Sequence, residues 1–417
     1  MKILMITSVL PWPLRRNGGA QRTELLRRAL ERYGVVDIFA VGGNDLFERN
    51  TDPDKISRSY SGKGVINYAM TFERKCYRKR WYLGPFAKIH DTLFAYRQRY
   101  QSDGNASEKF DEFVEKNGPY DLIVSRYLSP AMKVGLSRYT GTPKVLDFDD
   151  IDWSTFKSSI KFNPWKGPRG RLTQYLVYKE IKRNCLRALD AFDRVWVTCE
   201  EDSNEIEKDS QVLPNIFFHD AFIEKRNSCG GAESKKILFV GDLQFPPNRD
   251  GLDRFLAKVW PLILSRVGDA EFLIVGRGLD KEKEVEWAAI RGVSVIGYVD
   301  RLDKLYEDCA FTVVPVYFGG GTKIKVLESL AYERTVVLSL EAAKGYASLL
   351  DQAKAVVCAE SDSDFANACV KLLEVPAVRV QMAARGKEIV SRQFSFDAFS
   401  QAVDAVIRSI KTSAKQV

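Results

Sequence analysis

Residues 311–331 read FTVVPVYFGGGTKIKVLESLA and carry the pattern on which the fold depends. A short apolar run is followed by proline, three consecutive glycines and then apolar residues at helical spacing, which predicts a strand, a loop and a helix. We expect the strand at 310–314 and the helix at 322–332, with Thr322 as the N-cap. Such a unit is typical of parallel α/β sheets.

The same alternation of short apolar runs and amphipathic segments recurs along the chain. Helices are predicted at 20–33, 249–267, 302–306 and 395–410, and strands at 2–9, 35–41, 122–125, 144–148, 194–198, 236–240, 271–275, 293–296 and 336–339. Alternation of this kind predicts an α/β protein with two Rossmann-like doubly wound domains facing a cleft.

A stretch rich in proline, asparagine and glycine at 213–236 interrupts this pattern and predicts a linker. We therefore expect one domain at 1–215 and a second at 216–395. The remaining residues, 396–417, are expected to form a helix that packs back on the first domain.

Composition narrows the classes of function. The 417 residues include 63 Lys plus Arg and 55 Asp plus Glu, and the resulting charge of +8 suits anionic ligands but is too small to indicate nucleic acid. No apolar run approaches the roughly 18 residues that span a bilayer. Seven cysteines without a C-x-x-C pair predict neither zinc nor a disulfide framework, so we expect a cytoplasmic protein. With only two histidines, His90 and His219, histidine-dependent catalysis has little support.

The triple-glycine loop predicts an anion site. Backbone N–H groups at Gly320, Gly321 and Thr322 converge at a helix N-terminus, which attracts phosphate. Lys323 and Lys325 are unfavourable in the first turn of a helix unless an anion is bound there, and a diphosphate would supply it. Glu328, about one and a half turns further, is placed to accept hydrogen bonds from a ribose diol. The alternative is a flexible turn beside a solvated helix face.

Two other glycine loops follow predicted strands. Gly18 and Gly19, near Arg22, are equally compatible with a substrate-contacting loop and with a plain turn. Because no G-x-G-x-x-G motif is present, a hydride-transfer cofactor is disfavoured. Gly276 and Gly278 flank Arg277 after the strand at 271–275.

Four acids, Asp147, Asp149, Asp150 and Asp152, cluster after the strand at 144–148. Carboxylates suit Mg²⁺ or Mn²⁺, and a strand end with a capping aspartate is the simplest alternative. We favour an acceptor-positioning or general-base role for Asp149 or Asp150, with no metal and no cofactor.

Basic and aromatic residues alternate at 72–82, with Arg74, Lys75, Arg78, Lys79 and Arg80 as the cations. This composition fits the surface of an anionic membrane. Single-stranded nucleic acid and a solvated helix with extended basic side chains are the alternatives; we regard nucleic acid as the least favoured partner.

Taken together, these motifs resemble the GT-B fold glycosyltransferases of family 4 over nearly the whole chain. The matching stretches are 2–4, 13–22 (PLRRNGGAQR), 212–215, 237–253 (ILFVGDLQFPPNRDGLD), 272–278 (FLIVGRG), 295–299 (VIGYV) and 315–331. The last has the form G-G-G-T-K-x-K-x-L-E and is similar to a subgroup associated with bacterial exopolysaccharide assembly.

The resemblance implies a retaining enzyme that uses a nucleotide sugar. It places the acceptor on the first domain and the donor on the second. Ribose binding falls on Glu328, and phosphate contacts fall on the loop at 320–322, with Gly18 and Gly19 facing the diphosphate. Base contacts fall on 276–278 and on Tyr298 and Val299. Lys323, Lys325 or Arg249 would supply the phosphate cation, and the acceptor would be a saccharide or a lipid-linked molecule at the inner face of the membrane.

Three positions depart from the family pattern. The family has a pair of glutamates separated by seven residues, and the position of the first glutamate is occupied by Gly320 here. The arginine that usually follows the first strand of the donor domain is replaced by Asp242. Arg126 stands where a histidine is common in the cleft. A catalytically silent sugar-nucleotide binding protein and a nucleotide-sugar epimerase of similar fold are therefore the alternatives.

Overall fold

The computed structural model describes most of the chain, namely residues 1–11, 18–42, 64–71, 93–94, 96–162, 164–206, 208–217, 233–351 and 354–413. The basic and aromatic segment around Arg74 to Arg80 lies outside these residues, as do His90 and His219. In the described ranges, no helix combines the length and apolarity needed to cross a membrane.

The chain divides into two compact units, Met1–Pro214 with Phe399–Val417, and Asn215–Ala398. Unit 1 contains a parallel sheet of seven strands in the order β3-β2-β1-β4-β5-β6-β7. Its strands are β1 Lys2–Thr7, β2 Val35–Gly42, β3 Ile66–Met70, β4 Leu122–Arg126, β5 Lys144–Asp147, β6 Arg194–Val197 and β7 Ser210–Val212. Its helices are α1 Gly18–Glu31, α2 Gly104–Asn117, α3 Leu128–Lys133, α4 Asp152–Phe162, α5 Gly167–Leu189 and α6 Glu200–Ser203.

Unit 2 contains a parallel sheet of six strands in the order β10-β9-β8-β11-β12-β13. Its strands are β8 Lys236–Val240, β9 Glu271–Val275, β10 Val293–Gly297, β11 Phe311–Val314, β12 Val336–Ser339 and β13 Val356–Ala359. Its helices are α7 Pro246–Arg254, α8 Trp260–Leu264, α9 Lys281–Ala288, α10 Asp303–Asp308, α11 Ile324–Ala331, α12 Ala347–Asp351, α13 Asp362–Glu374 and α14 Pro376–Gln393.

The last helix, α15 Phe396–Ser413, packs on unit 1 through an apolar face at helical spacing. Phe399, Val403 and Val406 on this face are fully buried. The Phe399 ring centre lies 5.8 Å from the Arg22 guanidinium of α1. Burial of this face joins the end of the chain to the first sheet.

Both sheets reverse their strand order at an equivalent point. The first strand of each unit has the second strand on one side and the fourth on the other, as β1 has β2 and β4, and β8 has β9 and β11. In doubly wound sheets, ligands bind beyond the carboxyl ends of the strands at this switch point. The loops after β1 and β4 in unit 1, and after β8 and β11 in unit 2, are therefore the places to look for a site.

The structure confirms the α/β fold class with two doubly wound sheets. The sequence does not predict three strands, β3, β7 and β13. Each is a sheet edge that is only partly buried, so the apolar run typical of a central strand is weak or short there. The predicted helix at 249–267 is wrong in detail. It begins at Pro246 and is interrupted by a π-type turn at Phe255–Val259. The turn precedes Pro261, which lacks the N–H that would continue the α-helical bonding.

Candidate functional site

The glycine loop after β11 leads into helix α11 at the switch point of unit 2. The prediction that Thr322 caps this helix is wrong. Lys323 is the N-cap and makes no side-chain capping bond, while the Thr322 hydroxyl accepts a hydrogen bond from Asn215 Nδ2 at 3.0 Å. Without a side-chain cap, the orphan N–H groups of the first turn keep their capacity to bind an anion.

The loop itself is held by Lys323. Its Nζ donates to the carbonyl oxygens of Gly320 and Gly321, at 2.7 and 2.8 Å. Gly319 and Gly321 adopt φ values of 124° and 58°, a backbone region that favours glycine. The Lys323 ammonium therefore stabilises the loop conformation from within.

Lys325 extends from the first turn of α11 to the carboxyl end of β8. Its Nζ donates to Asn248 Oδ1 at 2.8 Å and lies 4.4 Å from the centre of the Phe239 ring. The Asn248 amide is oriented by its Nδ2, which donates to the carbonyl oxygen of Asp242 at 2.7 Å. A Cβ at Gly241 would lie 2.6 Å from the Lys325 Nζ, so the absence of a side chain there makes room for the ammonium.

Burial moves the pKa values of Lys325 and Glu328 towards neutrality. The pKa of Lys325 is lowered to about 7 by burial and by nearby Lys323, against the opposing effects of Glu328 and Asp242. Burial raises the pKa of Glu328 to about 7, while Lys325 opposes that rise. Within the described residues, the Glu328 side chain forms no hydrogen bond or ion pair. A cation and a carboxylate on one helix thus remain available to a ligand.

Asp242, which stands where the family carries arginine, is paired with a cation from the next strand. Arg277 donates to Asp242 Oδ2 from Nε at 3.2 Å and from Nη2 at 3.1 Å. The two loops approach so closely that a Cβ at Gly276 would lie 1.8 Å from the Gly241 carbonyl oxygen. Gly276 and Gly278, the latter with φ of 84°, therefore shape the contact between the ends of β8 and β9.

The remaining predicted residues of unit 2 are Tyr298, Val299 and Arg249. Tyr298, after β10, is 57% exposed, and Val299 packs against a small apolar cluster. Arg249 is half-buried and has its Nε 4.0 Å from Asp250 Oδ1. Among the contacts of the described residues, none joins Arg249 to Lys325 or Glu328.

A buried ionic cluster occupies the switch point of unit 1. Arg22 of α1 pairs with Asp147 at 2.6 Å, and Arg126 at the end of β4 pairs with Asp147 and Asp149, each at 2.9 Å. The Arg126 guanidinium also donates to the carbonyl oxygen of Gly19 at 3.2 Å. Burial by itself lowers the pKa of Arg126, but its anionic neighbours raise it above the ordinary value. The cluster joins the loops after β1, β4 and β5.

Not all of the predicted acids belong to this cluster. Asp150 is exposed, and Asp152 accepts a hydrogen bond from the Tyr100 hydroxyl at 2.8 Å. Tyr127 adopts a φ of 69°, rare outside glycine, and its hydroxyl lies 3.5 Å from Asp149 Oδ2. In the part of the chain that the structure describes, no group of three acidic, histidine or cysteine side chains is arranged to hold a metal.

Sequence reasoning missed three residues of the unit 2 site, namely Phe239, Gly241 and Asn248. Asn248 is 77 positions from its partner Lys325, and no local pattern marks it. Gly241 carried a signal, since a glycine directly after a buried strand often marks a close approach of the backbone.

Solved structures share this fold along almost the whole chain. Sucrose-phosphate synthase from Thermosynechococcus elongatus matches with a TM-score of 0.70 at 17% identity, covering 99% of this chain and 100% of that one. HepE from Anabaena in complex with UDP-glucose matches with a TM-score of 0.64 at 12% identity, covering 98% of this chain and 100% of that one. The α,α-trehalose-phosphate synthase (UDP-forming) from Burkholderia vietnamiensis matches with a TM-score of 0.63 at 14% identity, covering 98% of this chain and 100% of that one. The architecture is therefore the GT-B fold.

Residues 234–375 match the family described as Glycosyl transferases group 1. The matched range lies in unit 2 and contains the glycine loop, Lys325 and Glu328. No curated protein sequence matches the chain. With this domain in a GT-B fold, the protein is a glycosyltransferase.

Proposed function

We propose that the protein transfers a sugar from a nucleoside-diphosphate sugar to a saccharide or lipid-linked acceptor, with retention of anomeric configuration and without a metal or other cofactor. The observation that carries the proposal is the arrangement of Lys325 and Glu328. They lie on the first turns of one helix, after a glycine loop, at the switch point of the sheet in the matched domain.

Lys325 is proposed to bind the diphosphate. Cleavage of the glycosidic bond passes through an oxocarbenium-like state while negative charge develops on the departing diphosphate. A cation fixed beside that group stabilises the transition state more than the ground state. Lys325 fits this role because Asn248 and the Phe239 ring hold its ammonium at the end of β8. Such a cation performs the charge neutralisation for which other enzymes use a metal ion.

Glu328 is proposed to bind the ribose. Its carboxylate has no partner of its own in the described residues, and a vicinal diol offers two donors to one carboxylate. One of the structurally similar proteins was solved in complex with UDP-glucose and another is named as UDP-forming, which supports a nucleotide sugar as the donor class. Gly276, Gly278, Tyr298 and Val299 are proposed to contact the base.

Asp149 is proposed to orient the acceptor hydroxyl. Arg126 fixes its carboxylate at 2.9 Å, and Tyr127 lies beside it. A retaining reaction in which the acceptor attacks from the side of the leaving group does not require a separate protein base, because the departing diphosphate can take the proton. The anomeric configuration of the product, read by NMR, tests the retaining part of the proposal.

Substitution of Lys325 and Glu328 tests the donor assignment. Lys325→Ala should lower kcat about tenfold to a thousandfold and change the donor KM less, because its charge matters most in the transition state. Glu328→Gln should act mainly on donor binding, by about 1.5–3 kcal/mol. Lys304→Ala and Glu374→Gln, at exposed positions of unit 2, are the matched controls and should leave both quantities unchanged.

A donor lacking both ribose hydroxyls gives a sharper readout. It should bind the parent enzyme more weakly than the normal donor, whereas Glu328→Gln should bind the two almost equally. The proposal fails if both substitutions leave donor affinity and turnover intact in folded protein. Donor binding without acceptor-dependent release of nucleoside diphosphate would instead identify a silent binding protein, and an altered sugar formed without any acceptor would identify an epimerase.

A further inference from the structure

Helix α5 carries exposed apolar side chains on the face opposite its buried one. Leu172 is 56% exposed, Tyr175 54% and Leu176 40%, and Trp165 just before the helix is 37% exposed. Positions 172, 175 and 176 share one helical face. The opposite face, with Val177, Ile181 and Cys185, is part of the unit 1 core. The exposed apolar residues are therefore a second apolar surface and not an extension of the core.

Basic residues surround this surface. The segment 157–179 contains six Lys or Arg residues and no Asp or Glu. All six are exposed, and Arg169, Arg171 and Lys179 lie at helical positions beside the apolar face. The Lys179 ammonium lies 5.5 Å from the centre of the Tyr175 ring. Exposed leucine, tyrosine and tryptophan within a field of positive charge match the two parts of an anionic bilayer, its acyl region and its headgroups.

The length of α5 places this surface towards the carboxyl edge of the unit 1 sheet, where Asp149 lies. The helix has 23 residues, about 34 Å, whereas β5 and β6, which it connects together with α4, have four residues each, about 13 Å. Val177, Ile181 and Cys185 pack in the unit 1 core, and the 13 residues from Val177 to Leu189 cover about 20 Å, more than the length of the strands. Because a crossover helix runs antiparallel to the strands it connects, the part of α5 before Val177, which packs against α4, is on the side of the carboxyl edge, where β5 ends at Asp147.

We propose that this exposed face, formed by Trp165, Leu172, Tyr175 and Leu176 with the surrounding basic side chains, docks unit 1 on the surface of an anionic membrane. The aliphatic and aromatic side chains would enter the boundary between headgroups and acyl chains while the lysines and arginines meet the lipid phosphates. Leucines at the centre of the face favour lipid over nucleic acid, whose recognition uses stacking aromatic residues and phosphate contacts. The inference does not depend on the donor assignment, because it concerns lipid binding alone.

Cosedimentation with vesicles tests the proposal. The full chain should bind vesicles that contain phosphatidylglycerol and bind weakly to vesicles of phosphatidylcholine alone. The variant Arg169→Gln, Arg171→Gln, Lys179→Gln should lose about fivefold in partitioning for each charge removed, and high salt should reduce this difference. A charge-matched control, Lys258→Gln, Lys281→Gln, Lys371→Gln, removes three exposed lysines of unit 2 and should bind like the parent.

The apolar side chains need a separate variant. Leu172→Ser, Tyr175→Ser, Leu176→Ser should lose at least about tenfold in partitioning even at low salt, because it removes apolar area from the bilayer. Leu262→Ser, Val285→Ser, Val380→Ser removes similarly exposed side chains of unit 2 and is the matched control. Circular dichroism and the thermal midpoint show whether each variant remains folded. All six substituted positions of α5 are exposed, so we expect both variants to fold.

Three outcomes would overturn the proposal. The first is vesicle binding that is equal in the parent and both α5 variants. The second is a parent that self-associates in solution through residues 172–176 and binds no vesicles. The third is a variant that loses binding to single-stranded nucleic acid while its vesicle binding is unchanged. Loss of vesicle binding with donor affinity intact supports the proposal whether or not the glycosyltransferase assignment of Lys325 and Glu328 holds.

Discussion

The neutral pKa values of Lys325 and Glu328 predict that donor affinity depends on pH in two distinct ways. Lys325 has a pKa of about 7, below its ordinary value, so it loses its charge as the pH rises above that point. If binding requires the ammonium, each pH unit above about 7 should weaken donor binding about tenfold, or 1.4 kcal/mol. The decline ends at the higher pKa that Lys325 acquires beside the bound diphosphate.

Donor affinity should depend less steeply on pH on the acid side, the acid limb, than on the alkaline side. Glu328 has a pKa of about 7, above its ordinary value, so it becomes protonated as the pH falls. A neutral carboxyl still hydrogen-bonds to a ribose hydroxyl, so the loss is limited to the difference between charged and neutral bonds, about 1–1.5 kcal/mol. Donor affinity should therefore be highest near neutrality and fall more steeply on the alkaline side.

Isothermal titration calorimetry measures both effects. The ligand is the tightest-binding member of a set of UDP-, GDP- and ADP-sugars, because the diphosphate of a nucleotide sugar does not itself titrate near neutrality. At about pH 8, binding should take up close to one proton, about 0.9, which appears as a dependence of the heat on the buffer. Lys325→Ala should abolish the uptake, and Lys304→Ala should not change it.

The coupling between the two groups adds a further expectation. Glu328 raises the pKa of Lys325, so Glu328→Gln should remove the acid limb and also move the alkaline limb to lower pH. Affinity that is flat across neutrality, with no proton uptake on the alkaline side, would refute the assignment of Lys325 to the diphosphate.

Three other perturbations have defined outcomes. Turnover should survive excess EDTA, and loss of activity that Mn²⁺ or Mg²⁺ restores would instead make Asp149 and Asp150 metal ligands. Asp147→Asn leaves the buried guanidinium groups of Arg22 and Arg126 with less compensating charge, so the free energy of unfolding from chemical denaturation should fall by about 3–5 kcal/mol. Asp269→Asn, which breaks an exposed pair with Lys235, should change the free energy of unfolding little. Gly241→Ala places a Cβ 2.6 Å from the Lys325 Nζ and should weaken donor binding in a calorimetric titration, whereas Gly268→Ala, with no atom nearer than 3.8 Å, should bind the donor normally.

The sequence by itself predicted the elements that local chemistry determines. Buried parallel strands such as β1 and β8 are continuous apolar runs, and α11 has apolar residues at helical spacing after a glycine loop, so neighbouring residues alone predict the α/β class. The Lys325 and Glu328 spacing follows from helix geometry in the same way. Prediction failed at Thr322, because Asn215 engages its hydroxyl from more than one hundred positions away.

Only the tertiary structure decided which distant residues meet and how they are charged. Strand order brings β8 beside β11 and so places Asn248 against Lys325, and in unit 1 it joins Arg22 to Asp147 across 125 positions. Burial then moves the pKa values of Lys325 and Glu328 towards 7, a property that no residue type carries by itself. The outward face of α5 was not predicted from the sequence, since only the fold shows which side of the helix is buried. Such contacts depend on topology and on the exclusion of water, whereas periodicity reports only the local path of the chain.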